Sequence, residues 1–210
     1  QASNLSTASI TINSSIQPPA TRYSISDGNW SDPSTWDCNC TPAAADNIVV
    51  DHLVDVNASI TVSNTLTVNN SGTINIVSPN SFVVDGGLDN SGAINGIMTI
   101  GGSSDLSITL GTVEVVVINT SATLTLTADA SVTERLTLSS GTLNTGAYKL
   151  TLESDANSTA LIEDLGGIFA GTVEAERYIQ NTTGHHFLSA PVYSPTIGQF
   201  NDDVALSLQG

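Results

Sequence analysis

The chain has 210 residues, 40% of them hydrophobic and only 11% charged, with 20 acidic against 4 basic side chains and a net charge of −16. Nucleic acid and anionic membranes are bound through clustered Lys and Arg; the cations here, Arg22, Arg135, Lys149 and Arg177, are scattered, which excludes both partners. No stretch approaches the roughly 20 apolar residues of a membrane span, the longest apolar run being Val115 to Ile118, so no membrane insertion is expected.

The polar surface must come from neutral side chains, and 27 Ser, 26 Thr and 18 Asn supply it. Such a balance suits an extracellular β protein better than a cytosolic enzyme. The chain starts at Gln1 with no initiator Met, which reads as a mature N-terminus after signal-peptide removal or as a fragment boundary.

Residues 1–20 alternate loosely, with Ile10 and Ile12 between Ser and Thr, and end at Pro18-Pro19. This predicts an extended arm or strand. Unless it covers its own domain, it can donate that strand, through Ile10 and Ile12, to a neighbouring molecule. Residues 21–45 form a turn-rich capping loop holding Trp30 and Trp36. The indoles are expected to anchor the loop on the core, with sugar stacking as the alternative. Cys38 and Cys40 are the only cysteines, too few for a zinc site, and Asp37 beside them disfavours a catalytic thiolate. A disulfide is expected, within the chain or between chains.

From residue 46 to 165 one texture repeats: Ile60-Thr61-Val62, Leu66-Thr67-Val68, Ile74-Asn75-Ile76, Leu106-Ser107-Ile108, Leu124-Thr125-Leu126, Leu136-Thr137-Leu138 and Leu150-Thr151-Leu152. Each triplet puts two apolar side chains on one face and a polar one on the other. Asn-Ser-Gly, Asp-Gly-Gly and Ser-Gly turns separate them, and no helical stripe is visible. The triplets at Leu124, Leu136 and Leu150 start 12 and 14 residues apart, which fits strands turning corners around a coil. The predicted fold is all-β, a right-handed parallel β-helix or solenoid, with an antiparallel β-sandwich as the alternative. Residues 166–210 change character, with a strand predicted over Thr172–Ile179, and read as a C-terminal β cap or the start of a further module.

The stretch Gly28-Asn29-Trp30-Ser31-Asp32-Pro33-Ser34-Thr35-Trp36, then Pro42 and Asp46-Asn47-Ile48-Val49-Val50, resembles the opening of large secreted Bacteroidetes-type surface proteins. In that family a Trp-x5-Trp loop leads into a β-helix. Val173-Glu174-Ala175-Glu176-Arg177-Tyr178-Ile179 and Gly184-His185-His186-Phe187-Leu188-Ser189-Ala190-Pro191-Val192 resemble the element that follows the helix. The resemblance implies type IX secretion and a place at the cell surface in adhesion, gliding or polysaccharide use. It also implies further modules and a sorting domain, so the stretch to Gly210 is expected to be either a fragment or a trimmed building block.

Motifs for catalysis are missing. Glu174 and Glu176 share a strand face, yet Arg177 and Thr172 flank them as on a solvated sheet; Asp202-Asp203 is another carboxylate pair. His185 and His186, adjacent on a strand, would point to opposite faces. No cofactor motif occurs. Ca2+ is the ion with oxygen ligands at hand, in turns such as Asp85-Gly86-Gly87-Leu88-Asp89-Asn90. Thr123-Leu124-Thr125-Leu126-Thr127 has the alternation of an ice-binding face, but neighbouring segments offer Ser, Glu and Lys. The expected function is that of a non-catalytic structural or adhesive surface protein, self-associating through its coil ends or its arm. A carbohydrate-binding module, or a fragment of a polysaccharide-degrading enzyme, is the alternative.

Overall fold

Short triplets with one apolar side can bury it without a second sheet if the chain bends at each turn and stacks the next turn on top. The computed structural model describes residues 19–178 and has that architecture: a parallel β-solenoid of about six turns, with 59% of the described residues in strands.

The first rung holds β1 (Thr21–Tyr23) and β2 (Gly28–Asn29). The second holds β3 (Asn47–Val50), β4 (Leu53–Val56) and β5 (Ile60–Val62). The third holds β6 (Leu66–Val68), β7 (Thr73–Ile76) and β8 (Phe82–Val84). Then follow β9 (Leu88–Asn90), β10 (Ala93–Ile100) and β11 (Leu106–Ile108). Two long strands, β12 (Thr112–Leu126) and β13 (Ala130–Leu152), run through several corners before β14 (Leu161–Asp164) and β15 (Ile168–Ala175).

Three faces result. One stacks β1, β3, β6 and β9; the second stacks β2, β4, β7 and the start of β10; the third stacks β5, β8 and the end of β10. All pairings between named strands are parallel. That excludes the antiparallel sandwich; among the described residues antiparallel bridging is confined to Ser24–Trp36 and Ser154–Thr159. The in-register stacking lines up like residues inside the coil. Val54, Ile74, Ile94, Val113 and Val132 form one inward column, and Phe82, Met98, Val116 and Leu136 another, all buried. Each such side chain contributes about 1.5–3 kcal/mol of transfer free energy.

The steps of 12 and 14 residues between triplets are not rungs. Leu124 stacks on Leu106 and Leu143, Leu136 on Val116 and Ile162, and Leu150 on Val173, so the three triplets belong to different faces. A full rung takes 18 residues from Ile48 to Leu66, 22 from Leu66 to Leu88 and 26 from Leu143 to Phe169. Corners within β12 and β13 are passed by bulges and register shifts; Gly141 and Gly146 mark two of them in β13, whereas the one at Thr133-Glu134 has neither Gly nor Pro.

The coil is also wider than residues 46–165. Its first rung lies within the Trp loop, and β15 carries the pairing to Ala175. The strand predicted over Thr172–Ile179 is observed four residues earlier, over Ile168–Ala175, and passes through Gly171 at φ 123°. Ile10, Ile12, His185, His186 and Asp202-Asp203 lie outside the described residues.

Candidate functional site

Three places on the coil hold more than repetition: its two ends and one corner. At the N-terminal end, Asp32 opens a single 3-10 turn over Pro33–Thr35, its carboxylate accepting from the backbone and hydroxyl of Ser34 at 2.9 and 2.8 Å. Those bonds, the backbone one foremost, hold the Asp32 carboxyl below its usual range. The turn folds Trp36 back on Trp30, whose carbonyl accepts from the Trp36 indole N–H at 2.9 Å. The rings meet edge-on at 5.0 Å, and Trp30 meets Phe82 at 5.5 Å. With 1% and 0% exposure, neither indole offers a face to a sugar. Both anchor the loop on the first rungs.

Cys38 and Cys40 are bonded to each other within the chain, closing a ring around Asn39, which takes a left-handed φ of 49°. The loop also blunts the edge of β1: Ile25 N–H donates to Thr35 and Asp37 N–H to Tyr23. Below it, the carboxylate of Asp46 accepts from Ala20 N–H, Ala43 N–H and Arg22 Nε at 3.0–3.1 Å. Burial pushes that carboxyl up, but the bonds from Ala43, Arg22 and Ala20 together outweigh it and hold it below the usual value.

A serine–histidine contact, not foreseen from the sequence, lies on the same rungs. Ser24 Oγ accepts from Asp51 N–H at 2.8 Å and lies 3.1 Å from His52 Nδ1. Ser24 is 3% exposed, so its hydroxyl cannot meet a substrate; the contact ties the first rung to the second.

The C-terminal end is different. β14 and β15 each pair only with β13 among the described residues, so their outer edges are free there. Leu161, Leu165 and Ile168 are exposed, and Ile162, Phe169 and Val173 are only partly buried against the core. Glu174 and Glu176 do not converge on a substrate. Glu174 accepts from Lys149 Nζ at 2.6 Å, which raises the Lys149 pKa, and Glu176 accepts from Ser154 N–H.

No group of three or more His, Cys, Asp or Glu side chains that could hold a metal ion occurs among the described residues. In the turn singled out for Ca2+, Asn90 points inward: its amide donates to Leu110 and Thr112 carbonyls and its oxygen accepts from Gly92 N–H. It is therefore not a ligand.

The third place is a cleft of about 370 Å³ at the corner between the second and third faces, lined by Gly96, Ile97, Glu114, Glu134, Arg135 and Leu161 among others. Register shifts in β10, β12 and β13 open this corner. The last rung, of 26 residues, detours through Ser154–Ala160, and Ser158 and Thr159 from that detour form one wall. Asp155 folds the detour by accepting from Ser158 and Asn157 N–H, bonds that lower its pKa. The cleft was not legible in the sequence because its residues lie up to 65 positions apart. Comparison with protein-family models, curated proteins and solved structures finds no match to this chain.

Proposed function

We propose that this chain is a non-catalytic, extracellular structural or adhesive protein whose coil is a rigid spacer that joins the next molecule through its C-terminal end. The observation that carries the reading is the asymmetry of the ends. Trp30, Trp36 and the Cys38–Cys40 bridge close one, while the other presents Leu161, Leu165 and Ile168 beside two strand edges without an outer partner among the described residues.

An open apolar end with free N–H and C=O groups is a template for strand addition. The occupant we assign is the N-terminal arm of another copy, with Ile10 and Ile12 as its apolar side. A contact between unlike ends does not close on itself and propagates into a filament. The Cys38–Cys40 bridge suits an oxidising compartment, and the resemblance to exported surface proteins agrees.

The test compares the intact chain with a form lacking residues 1–17 and with Ile168→Asp, by light scattering and electron microscopy. Concentration-dependent assemblies that both changes abolish support the reading. A monomer at all concentrations, or an oligomeric state that neither change alters, refutes it.

A further inference from the structure

We propose that Asn95 is a self-modification site, at which the folded chain converts its own asparagine to aspartate and isoaspartate with Glu114 as the base. Asn95-Gly96 is the only Asn-Gly pair in the sequence. It falls where β10 leaves the second face for the third. Asn95 is the last residue of β10 paired with β7, and Gly96, at φ 88°, has a register partner on neither neighbouring strand. The fold accounts for each residue separately. A Cβ at Gly96 would lie 2.6 Å from the Ile76 carbonyl oxygen, so the bulge demands glycine. The Asn95 amide donates to Asn75 Oδ1 at 2.8 Å and the Asn75 amide to Asp55 Oδ1 at 3.1 Å, a ladder along the outside of the second face.

What makes the pair reactive is the partner of the Gly96 N–H. In a regular ladder a backbone N–H donates to a carbonyl, which is no base. The Gly96 N–H instead donates to a carboxylate oxygen of Glu114, the contact a general base needs. Attack by the Gly96 nitrogen on Cγ of Asn95 closes a succinimide ring. The bond from nitrogen to Cγ forms, the Gly96 proton passes to Glu114, and the bond from Cγ to Nδ2 breaks. The leaving amide takes up that proton and departs as ammonia. Water then opens the ring at either carbonyl and returns a proton to the nitrogen, leaving aspartate or isoaspartate. Water is consumed and ammonia released, with no change of oxidation state. Asn95 is exposed, and Gly96 and Glu114 line the corner cleft, so water can enter and ammonia leave. Gly96 also lacks the side chain that would obstruct ring closure. The product sets a carboxylate against Asn75 Oδ1, and isoaspartate lengthens the backbone at the bulge. The modification therefore alters this corner as the protein ages.

The proposal is independent of end-to-end association, and its test needs no ligand. The intact protein and Glu114→Gln are held at neutral pH and physiological temperature, both folded and in guanidinium, and conversion of Asn95 is followed by peptide mass mapping. Asn70, exposed in a turn before Ser71, is the internal reference. Gln keeps an acceptor for the Gly96 N–H and removes the base. In the folded parent Asn95 is expected to convert faster than Asn70 and at least as fast as it does in the unfolded chain, where no base is held on the amide. Glu114→Gln is expected to slow Asn95 about tenfold or more in the folded protein, and to leave the unfolded rate and Asn70 unchanged. Circular dichroism confirms that the variant folds; should it not, the folded and unfolded rates of the parent decide. Conversion of Asn95 that is slower in the folded parent than in guanidinium, or a folded rate that Glu114→Gln leaves unchanged, would overturn the proposal.

Discussion

The side-chain amide of Asn90 donates to the carbonyl oxygen of Leu110, one rung further along the coil, across 2.8 Å. Asn90 is fully buried and occupies an inward column whose preceding members, Val50 and Val68, are apolar. There it satisfies the Leu110 and Thr112 carbonyls, and its oxygen accepts a second bond from Gly92 N–H, which also donates to the Val68 carbonyl. Asn90→Val restores the apolar column but takes the donor from the Leu110 and Thr112 carbonyls, and should cost about 2–4 kcal/mol. Asn90→Asp, nearly the same shape, should cost more at neutral pH, because a buried carboxylate would face two carbonyls. Urea unfolding of both variants checks this; an Asn90→Val protein as stable as the parent would refute it.

Gly111 and Gly146 share a φ of +61°, but their surroundings differ. A Cβ on Gly111 would lie 2.3 Å from the Asn90 carbonyl oxygen, whereas one on Gly146 has its nearest neighbour, Thr125 Cγ2, at 3.7 Å. Gly146→Ala should therefore lose only the left-handed backbone cost, about 1–2 kcal/mol. Gly111→Ala adds a backbone clash between rungs and should exceed it by about 2 kcal/mol or more. Equal losses in thermal unfolding would show that rung contact does not decide the matter.

How far the fold was legible follows from such positions. Apolar–Thr–apolar triplets announce a half-buried strand, and Leu66-Thr67-Val68 and Leu124-Thr125-Leu126 are strands with that orientation. Leu88-Asp89-Asn90 breaks the pattern because its inward polar residue serves a corner, and only the stacked rung supplies its partners. Rung length stayed hidden for a related reason. β13 turns from one face to the next through bulges at Thr133-Glu134, without a Gly or Pro to mark the change. Those bulges, with the Ser154–Ala160 detour, also make the cleft, so the least regular stretches of sequence carry the candidate site. The Trp loop was readable as an anchor, since two large side chains six residues apart in a Gly/Asp/Pro turn have few places to go but inward.

Trp36 tests that anchor directly. Its ring is fully buried and its N–H holds the Trp30 carbonyl. Trp36→Ala should destabilise the coil by about 3–5 kcal/mol through the cavity it leaves. Trp36→Phe keeps most of the ring and loses the hydrogen bond, for about 1–2 kcal/mol. Each variant retains Trp30 as the sole tryptophan, so its emission should shift to the red in Trp36→Ala and hardly move in Trp36→Phe. An unshifted spectrum in Trp36→Ala would mean that Trp30 stays buried without its neighbour.

Asp46 joins the cap to the second rung, and its dependence on pH has a definite sign. Its folded pKa lies below the ordinary 3.8 because the bonds from Ala43, Arg22 and Ala20 outweigh its burial. A carboxyl with a depressed folded pKa stabilises fully above its unfolded pKa, and that contribution is lost as pH falls through the folded value. Asp46→Asn removes the charge and turns an amide donor toward groups that themselves donate. The parent should exceed it in stability by about 2 kcal/mol at pH 7. That gap should hold down to about pH 5 and narrow once the pH drops below 3.8. Arg22→Met should reproduce part of the loss at pH 7, since it removes one of the three donors while leaving both backbone N–H groups on the carboxylate. Urea midpoints for parent and variants across this range provide the measurement, and a gap that is constant or widens on acidification would mean that Asp46 is not what ties the cap down.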